Sequence, residues 1–404
     1  MTNDILFGVR IFDMTRVLAG PYCTALLADL GAEVIKLEPP QGDEYRHIGP
    51  FTDGESALFQ LVNRGKHSIS IDLRKPEGCK LAGEIALSCD VVVENFRPGV
   101  TARFGLDAQT LRQKKPELIY ASISGFGQTG PWTDRPAYDL VVQAVSGMMA
   151  VNGEENGDPL KVGESIADLA AGLFASWAIM GALFRKVRSN EGAAIDVSMH
   201  DALFSLLPTA HAQMFYAGRE PQRTGNRHPL STPFGCYQAR DGFFAIAVLN
   251  EKHFAAFAEA IGQSGLGSDM RFASDSARTR HEPALKAMIE SWSRTLDVAQ
   301  IVELLAAKEI PCAPIRNFGE AVNSEQTVDR HLVTELHHQR LGTVKVVGQP
   351  VVFDGAKPTV TTCAPDLGAD ARNILSQLPG FDNARITRLF GDGIVAEGSH
   401  ARHD

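Results

Sequence analysis

Residues 9–37 read VRIFDMTRVLAGPYCTALLADLGAEVIKL, and this stretch decides the fold. Val9–Met14 has the apolar content of a strand. Gly20-Pro21 then sets a proline at the first turn of a helix, where its missing N–H costs nothing. Tyr22–Leu30 continues that helix to a stop at Gly31. Glu33–Leu37 is the next strand. The alternation carries on outward: Ser68–Leu73 is a strand, Pro76–Ser88 a helix, Asp90–Glu94 a strand around Val91-Val92-Val93, and Leu118–Ser124 a further strand. Strands alternating with helices predict a parallel sheet covered on both faces, an α/β fold.

Further along, a helix opens near Asp168 and runs to about Arg188. Leu169, Leu173, Trp177, Met180 and Phe184 recur at helical spacing. Ala170, Ala171, Gly172, Ala175, Ala178 and Gly181 give it a small-residue surface suited to deep burial or an interface. Ala193–Met199 reads as a strand and His200–Tyr216 as a helix. The segment from Gly218 to Phe234 is rich in Gly, Pro, Arg, Asn and His, which marks a long functional loop. From Gly242 to about Asn317 a smaller α+β unit is expected, with helices at Glu251–Ile261, Glu282–Ser293 and Val298–Lys308. Strands at Gly342–Val347 and Val351–Phe353 and a helix at Ala369–Leu378 follow. The tail from Gly398 to Asp404 is expected to be disordered. No internal repeat is present.

The 404 residues suffice for two or three domains, and 44% apolar against 22% charged residues is ordinary globular usage with material for a large core. A net charge of −9 disfavours nucleic acid, whose binding rests on Lys and Arg at phosphates. It leaves room for a small anion, since a few local cations reverse the field inside one cleft. The six cysteines (Cys23, Cys79, Cys89, Cys236, Cys312, Cys363) show no Cys-x-x-Cys pair, so neither a disulfide framework nor a structural zinc site is expected. No basic region precedes an apolar stretch at the N-terminus, and no uninterrupted apolar run of about 20 residues occurs. A cytoplasmic protein without a membrane span is expected.

Several familiar sites are missing. The first strand–turn–helix carries Arg16-Val-Leu-Ala-Gly-Pro21 instead of a Gly-x-Gly-x-x-Gly or a phosphate loop. No His-Glu-x-x-His and no Gly-x-Ser-x-Gly occurs. His337-His338 is an adjacent pair whose side chains diverge on a strand or helix, so no metal is expected. Carboxylates and local cations remain. In the segment Gly163–Gly172, Ser165 precedes Asp168 by three residues at the start of an apolar helix, which fits a capping box. The same position suits a nucleophile. Helix N–H groups favour the ionised carboxylate, which can attack an activated acyl carbon to form an anhydride. Local sequence leaves both roles open.

Six segments carry a resemblance. They are residues 16–21 (RVLAGP), 30–38 (LGAEVIKLE), 63–73 (NRGKHSISIDL), 90–99 (DVVVENFRPG), 124–131 (SGFGQTGP) and 166–172 (IADLAAG). In this order they resemble the class III coenzyme A transferases, the CaiB/BaiF group with formyl-CoA:oxalate and carnitine CoA transferases and the related α-methylacyl-CoA racemases. The resemblance spans about Leu6 to Phe353. It implies a Rossmann-like parallel-sheet large domain, discontinuous over 1–217 and 330–404, a small α+β domain at 218–329, and an interlocked homodimer. It places the catalytic aspartate at Asp168. Coenzyme A contacts fall on Leu18, Ala19, Leu73, Arg74, Asn95, Phe96, Arg97, Arg103, Ala137 and Tyr138. Arg74, Lys75, Arg97 and Arg103 can pair with phosphates or be solvated surface charges. Where some relatives have an arginine near the adenine, this chain has Pro39-Pro40.

Racemases of this group pair the aspartate with a histidine in a Gly-His-Asp segment. Here the segment reads Pro136-Ala137-Tyr138-Asp139. A tyrosine of ordinary pKa about 10 is a poor proton acceptor near neutrality, which favours transfer over racemisation. A non-catalytic CoA-binding protein is the remaining alternative, and the presence of Asp168 argues against it. The implied reaction moves coenzyme A from an acyl-CoA such as succinyl-CoA to a small carboxylic acid. The implied intermediates are an aspartyl anhydride and an aspartyl-CoA thioester. Arg46-His47 and Gly225, Asn226, Arg227 and His228 are candidates for holding a dicarboxylate such as itaconate, mesaconate or citramalate. Those cations serve equally well for holding the chain together.

Overall fold

The computed structural model describes residues 5–396. The predicted tail Gly398–Asp404 lies outside the described residues. Two compact units divide the chain. The larger holds the residues up to Met148, Lys161–His211 and those from Thr327 onward; the smaller holds Met149–Leu160 and Ala212–Gln326. The smaller unit thus includes 149–160 as well as the inserted stretch, beside boundaries expected at 217/218 and 329/330.

The larger unit is built on six parallel strands: β1 (Arg10–Asp13), β2 (Glu33–Glu38), β3 (Lys66–Ser70), β4 (Val91–Glu94), β5 (Ile119–Ser124) and β6 (Ala193–Ser198), in the order β3-β2-β1-β4-β5-β6. Neighbouring strand residues go to opposite faces. Phe12, Ile35 and Val92 join a core that includes Leu81, Ile85, Ile374 and Leu375, while Ile11, Val34, Val91 and Val93 join one with Cys23, Leu27, Ala171 and Ile179. Burial on both faces is why these strands read as near-continuous apolar runs. The strand order reverses direction between β1 and β4. Ligands of open α/β sheets bind outside the carboxyl ends of the strands at such a point.

Helix α1 (Ala19–Asp29) follows β1, with Pro21 in its first turn and the chain turning at Gly31, φ 97°. Helix α2 (Pro76–Ser88) follows β3, and α3 (Asp139–Val145) lies beyond β5. Helix α4 (Ile166–Ser189) packs on α1, β5 and β6. Its inward face is Ala167, Ala170, Ala171, Gly172, Ala175, Ile179 and Ala182. A Cβ at Gly172 would stand 2.7 Å from the carbonyl oxygen of Ala19, so glycine is what permits this approach. The large residues face outward instead: Leu173, Trp177, Phe184 and Val187 are exposed. By length and composition α4 is the one described helix apolar enough to cross a membrane, although its small-residue side is buried in the protein.

Two expectations are corrected. The helix foreseen over His200–Tyr216 is two helices, Met199–Ser205 and Pro208–Ala217, because Pro208 cannot continue the first. Val351–Phe353 is not a strand; only a bridge between Phe353 and Ala356 forms there. Strand Val333–His338 pairs antiparallel with Gly342–Val347, and alternation along it buries His338 while exposing His337.

The smaller unit has an antiparallel three-stranded sheet, with Phe243–Ala247 between Phe234–Gln238 and Cys312–Pro314. Helices Glu251–Ala260, Glu282–Ser293 and Val298–Ala306 supply Phe254, Phe257, Leu285, Ile289, Ile301 and Leu305 to its core. Residues 218–226 lack regular structure.

Candidate active site

The turns after β1 and β4 stand at the sheet's switch point, and two adjoining cavities open between them. One, of about 120 Å³, is lined by Val17, Leu18 and Ala19, by Asn95 and Arg97, by Arg135, Ala137 and Tyr138, and by Asp168. The other, of about 340 Å³, is lined by Leu73 and Arg74, Pro39 and Pro40, His47 and Phe104. Arg16 and Phe96 line both, so the two form one cleft along the carboxyl edge of the strands. Leu18, Ala19, Asn95, Phe96, Arg97, Ala137 and Tyr138 therefore line the same cavity as Asp168, and Leu73 and Arg74 line the adjoining one. Arg103 is exposed in the turn Thr101–Phe104 and does not line it.

Asp168 sits in the first turn of α4. The capping box expected of Ser165 and Asp168 does not form: Ser165 is the N-cap, but its side chain accepts no hydrogen bond. The helix start is instead held from outside. Asp139 Oδ1 accepts the Ala167 N–H at 2.8 Å and its Oδ2 accepts Gln143 Nε2 at 2.7 Å. No hydrogen bond engages the Asp168 carboxylate among the described residues. Burial, with the negative charge of Asp139 added, pushes Asp168 up to about 7. Such a group is a mixture of acid and carboxylate near neutrality, poised for both attack and release.

Neighbours with perturbed protonation were missed in the sequence. Tyr45 lies in the 3₁₀ turn Glu44–His47, and burial together with the charge of Asp168 pushes its phenol to about 12. Glu94, buried at the end of β4, accepts the Phe96 N–H at 2.8 Å; burial pushes it up to about 7 against its bonds to Ser122 and Phe96. Glu94 lies within the 90–99 segment and Tyr45 in none of the six; neither lines the cleft, and the fold brings Tyr45 within reach of the charge of Asp168. Asp139 follows Tyr138 directly, and that adjacency was the one available signal.

The cations differ in availability. Arg97 and Arg135 line the cleft without a carboxylate partner among the described residues, and Arg135 stacks over Trp132 at 4.7 Å. Arg16 pairs with Glu44 at 2.6 Å. Arg74 forks onto Asp72 at 2.8 and 2.9 Å while its side chain stays 80% exposed, so an incoming phosphate can draw it away. Lys75 is occupied by the carbonyls of Asp392 and Gly393. Arg46 is buried, with Nε and Nη2 on Glu38 at 2.7 and 2.8 Å, Nη2 also on the Pro365 carbonyl, and its guanidinium 3.7 Å from the Phe59 ring centre. Those donors are not free for a substrate carboxylate. His47 Nε2 lies 2.8 Å from the Gln41 carbonyl, at the rim.

Gly225, Asn226, Arg227 and His228 belong to the smaller unit. Gly225 has φ 58° and packs against Glu154; the Asn226 carbonyl accepts the Cys236 N–H; Arg227 is 3.6 Å from Glu155; His228 stacks on Phe234 at 4.9 Å. Among potential metal groupings, Glu55, His338 and Asp366 converge. Arg340 pairs with both carboxylates, and the backbone N–H groups of Arg340 and Leu341 donate to His338 Nδ1, so the cluster is an ion-pair knot.

Comparison with known proteins agrees with this geometry. The profile of CoA-transferase family III matches residues 6–371. A succinate–glutarate CoA-transferase of Agrobacterium fabrum is 35% identical over 92% of this chain and 95% of its own. An acetyl-CoA:oxalate CoA-transferase of Acetobacter aceti is 40% identical over 86% and 89%. A crystal structure of a CAIB/BAIF family protein from Brucella suis superposes with a TM-score of 0.82 at 34% identity, covering 92% of this chain and 99% of that one. With its doubly wound sheet, its switch-point cleft and Asp168 in that cleft, the chain belongs to CoA-transferase family III.

Proposed function

We propose that the protein transfers coenzyme A from an acyl-CoA, succinyl-CoA by preference, to a small dicarboxylic acid, with Asp168 as the nucleophile. The observation that carries this is an aspartate in a cleft at the switch point, free of hydrogen bonds, facing Leu18, Ala19, Asn95 and Tyr138. Ionised Asp168 attacks the thioester carbonyl; the C–S bond breaks and a mixed anhydride forms with release of CoA thiolate. The thiolate attacks the aspartyl carbonyl of the anhydride, which gives an enzyme-bound thioester and frees the donor acid. The acceptor carboxylate attacks that thioester, and the returning thiolate then attacks the acceptor's acyl carbon and restores the Asp168 carboxylate. Backbone N–H groups near Gly163 or in a glycine-containing loop stabilise the oxyanions in this reading.

Arg74 and Arg97 serve the phosphates of coenzyme A in this reading, Arg103 reaching only a phosphate that extends beyond the cleft, and Leu18, Ala19, Leu73, Asn95, Phe96, Ala137 and Tyr138 its remaining contacts. Relatives named for glutarate and oxalate transfer support a dicarboxylate acceptor. Its second carboxylate falls to Arg135, a cleft cation without a carboxylate partner among the described residues. Tyr138 in place of a histidine supports transfer over racemisation. The reading also includes a homodimer.

Asp168→Ala is expected to abolish transfer between succinyl-CoA and each of a panel of acids. Hydroxylamine added during turnover of the wild type is expected to mark residue 168 as a hydroxamate. Full activity in Asp168→Ala would overturn the assignment, and preference for monocarboxylates would overturn the acceptor class.

A further inference from the structure

Two buried lysines stand behind the cleft wall and touch no part of the reacting chemistry described above. Lys36, in β2, is fully buried, and its Nζ donates to Asp43 Oδ2 at 2.8 Å and to the Thr15 carbonyl at 2.9 Å. Lys66, at the head of β3, donates to Asp13 Oδ2 at 2.9 Å, Asn63 Oδ1 at 2.8 Å and the Pro21 carbonyl at 3.0 Å. Asp13 also accepts the Thr15 N–H at 2.8 Å and the Thr24 hydroxyl at 2.7 Å. Burial opposes its charge, yet Lys66 and Lys36 hold the carboxyl down at about 2. Thr15 and Val17 of the turn after β1 are thus tied to buried ions, Thr15 to Asp13 and Lys36 and Val17 to Asp43.

What this network restrains is strained. Val17 has φ 66°, in the left-handed region that a β-branched residue enters only under compulsion. Leu18, next in the chain, has φ −126° and ψ −61°, outside the regular helical well. The Val17 N–H donates to Asp43 Oδ1 at 3.1 Å, and the same oxygen accepts the Tyr45 N–H at 2.9 Å. One carboxylate therefore ties the turn after β1 to the turn that carries Tyr45, and Val17, Leu18 and Ala19 line the cleft with Asp168. Buried ion pairs are a weak source of stability, because desolvation offsets most of their attraction. Their strength is in fixing one arrangement.

We propose that Asp43, held in place by Lys36, is a positioning residue for coenzyme A transfer: it locks the left-handed Val17 so that the Leu18–Ala19 wall stands in register opposite Asp168. This rests on the reading of Asp168 as the reacting carboxylate.

The test compares two buried ion pairs. Asp43→Ala removes the tether; Asp29→Asn makes a matching change at Asp29–Arg64, a 2.6 Å pair that does not line the cleft. With succinyl-CoA and glutarate at saturation, Asp43→Ala is expected to lower kcat by about 10- to 100-fold, the scale of a misplaced reacting group. Asp29→Asn is expected to stay within about twofold of wild type in kcat although its thermal midpoint falls. Adding Val17→Gly to Asp43→Ala lets the turn reach positive φ without strain and is expected to recover about fivefold or more of the lost kcat. Should Asp43→Ala not fold, Asp43→Asn combined with Lys36→Met removes both buried charges, and Val17→Gly is scored on that background. Equal losses of kcat in the Asp43 and Asp29 variants, or no recovery from Val17→Gly, would overturn the proposal. An active Asp168→Ala would instead remove its foundation, a result distinguishable from an inactive Asp168→Ala beside a fully active Asp43→Ala.

Discussion

Asp168 has opposite demands placed on it by folding and by chemistry. Its carboxyl is raised from its ordinary 3.8 to about 7, so the folded protein holds a proton that the unfolded chain has released. The corresponding stability is present in full below pH 3.8 and is lost as pH rises to about 7. Asp168→Asn removes that dependence. It is expected to exceed wild type in unfolding free energy by up to about 4 kcal/mol at pH 8 and to match it near pH 4, as chemical denaturation at the two pH values will show. Chemistry needs the carboxylate, so kcat/KM for the acyl-CoA is expected to climb through a midpoint near pH 7 and level off above it. Asp139→Asn takes away the negative charge that helps raise Asp168. Its midpoint is expected to move to lower pH by about half a unit to one unit, read from the same pH–rate profile. A profile unmoved by Asp139→Asn would assign the midpoint elsewhere, Glu94 being another buried carboxyl pushed up to about 7. The sequence left Asp168 divided between cap and nucleophile. The absence of a hydrogen bond on it, and Asp139 taking the capping role from 29 positions upstream of Asp168, are facts of tertiary placement that no local pattern contains.

At the level of elements, the strands were the most legible part of the chain. Val91-Val92-Val93 and Val34–Leu37 are buried on both faces, and strands so buried leave near-continuous apolar runs in the sequence, interrupted here only by the buried Lys36. Helix α4 was legible in extent and in the burial of its small residues, while the side taken by Leu169, Leu173, Trp177, Met180 and Phe184 was not. Apart from Ile179 the buried stripe is alanine and glycine, because α1 approaches too closely for larger side chains. The contact explains a testable cost. Gly172→Ala improves helix propensity by about 1 kcal/mol but drives a methyl against the Ala19 carbonyl, a backbone atom that cannot swing aside. A net loss of about 1–3 kcal/mol is expected by urea denaturation. KM for the acyl-CoA should rise with it, since Ala19 lines the cleft. The break at Pro208 was legible in principle, since a proline eight residues into a helix is a stop signal; the apolar periodicity across it was misleading.

For the whole molecule, the large residues of α4 remain unaccounted for within one chain. Leu173, Trp177, Phe184 and Val187 are 51, 73, 66 and 87% exposed, and α3 adds Leu140, Val141 and Val145, each also above 40%. Positions 173, 177, 184 and 187 follow the three-and-four spacing that places side chains on one side of a helix. Contiguous exposed apolar surface of this kind marks an interface. The proposed homodimer gives it an occupant. A second copy is self-consistent, because a two-fold interface needs only one patch that complements itself. Light scattering of the wild type is expected to give twice 43.7 kDa. Trp177→Asp, which sets a charge in the middle of the stripe at a residue that does not line the cleft, is expected to shift the mass toward one chain at micromolar concentration. A wild type that scatters as a single chain would overturn the dimer and leave the α4 stripe to some other partner. A Trp177→Asp variant that stays dimeric would move the interface off this face, since a buried unpaired carboxylate at its centre costs more than such a patch can absorb.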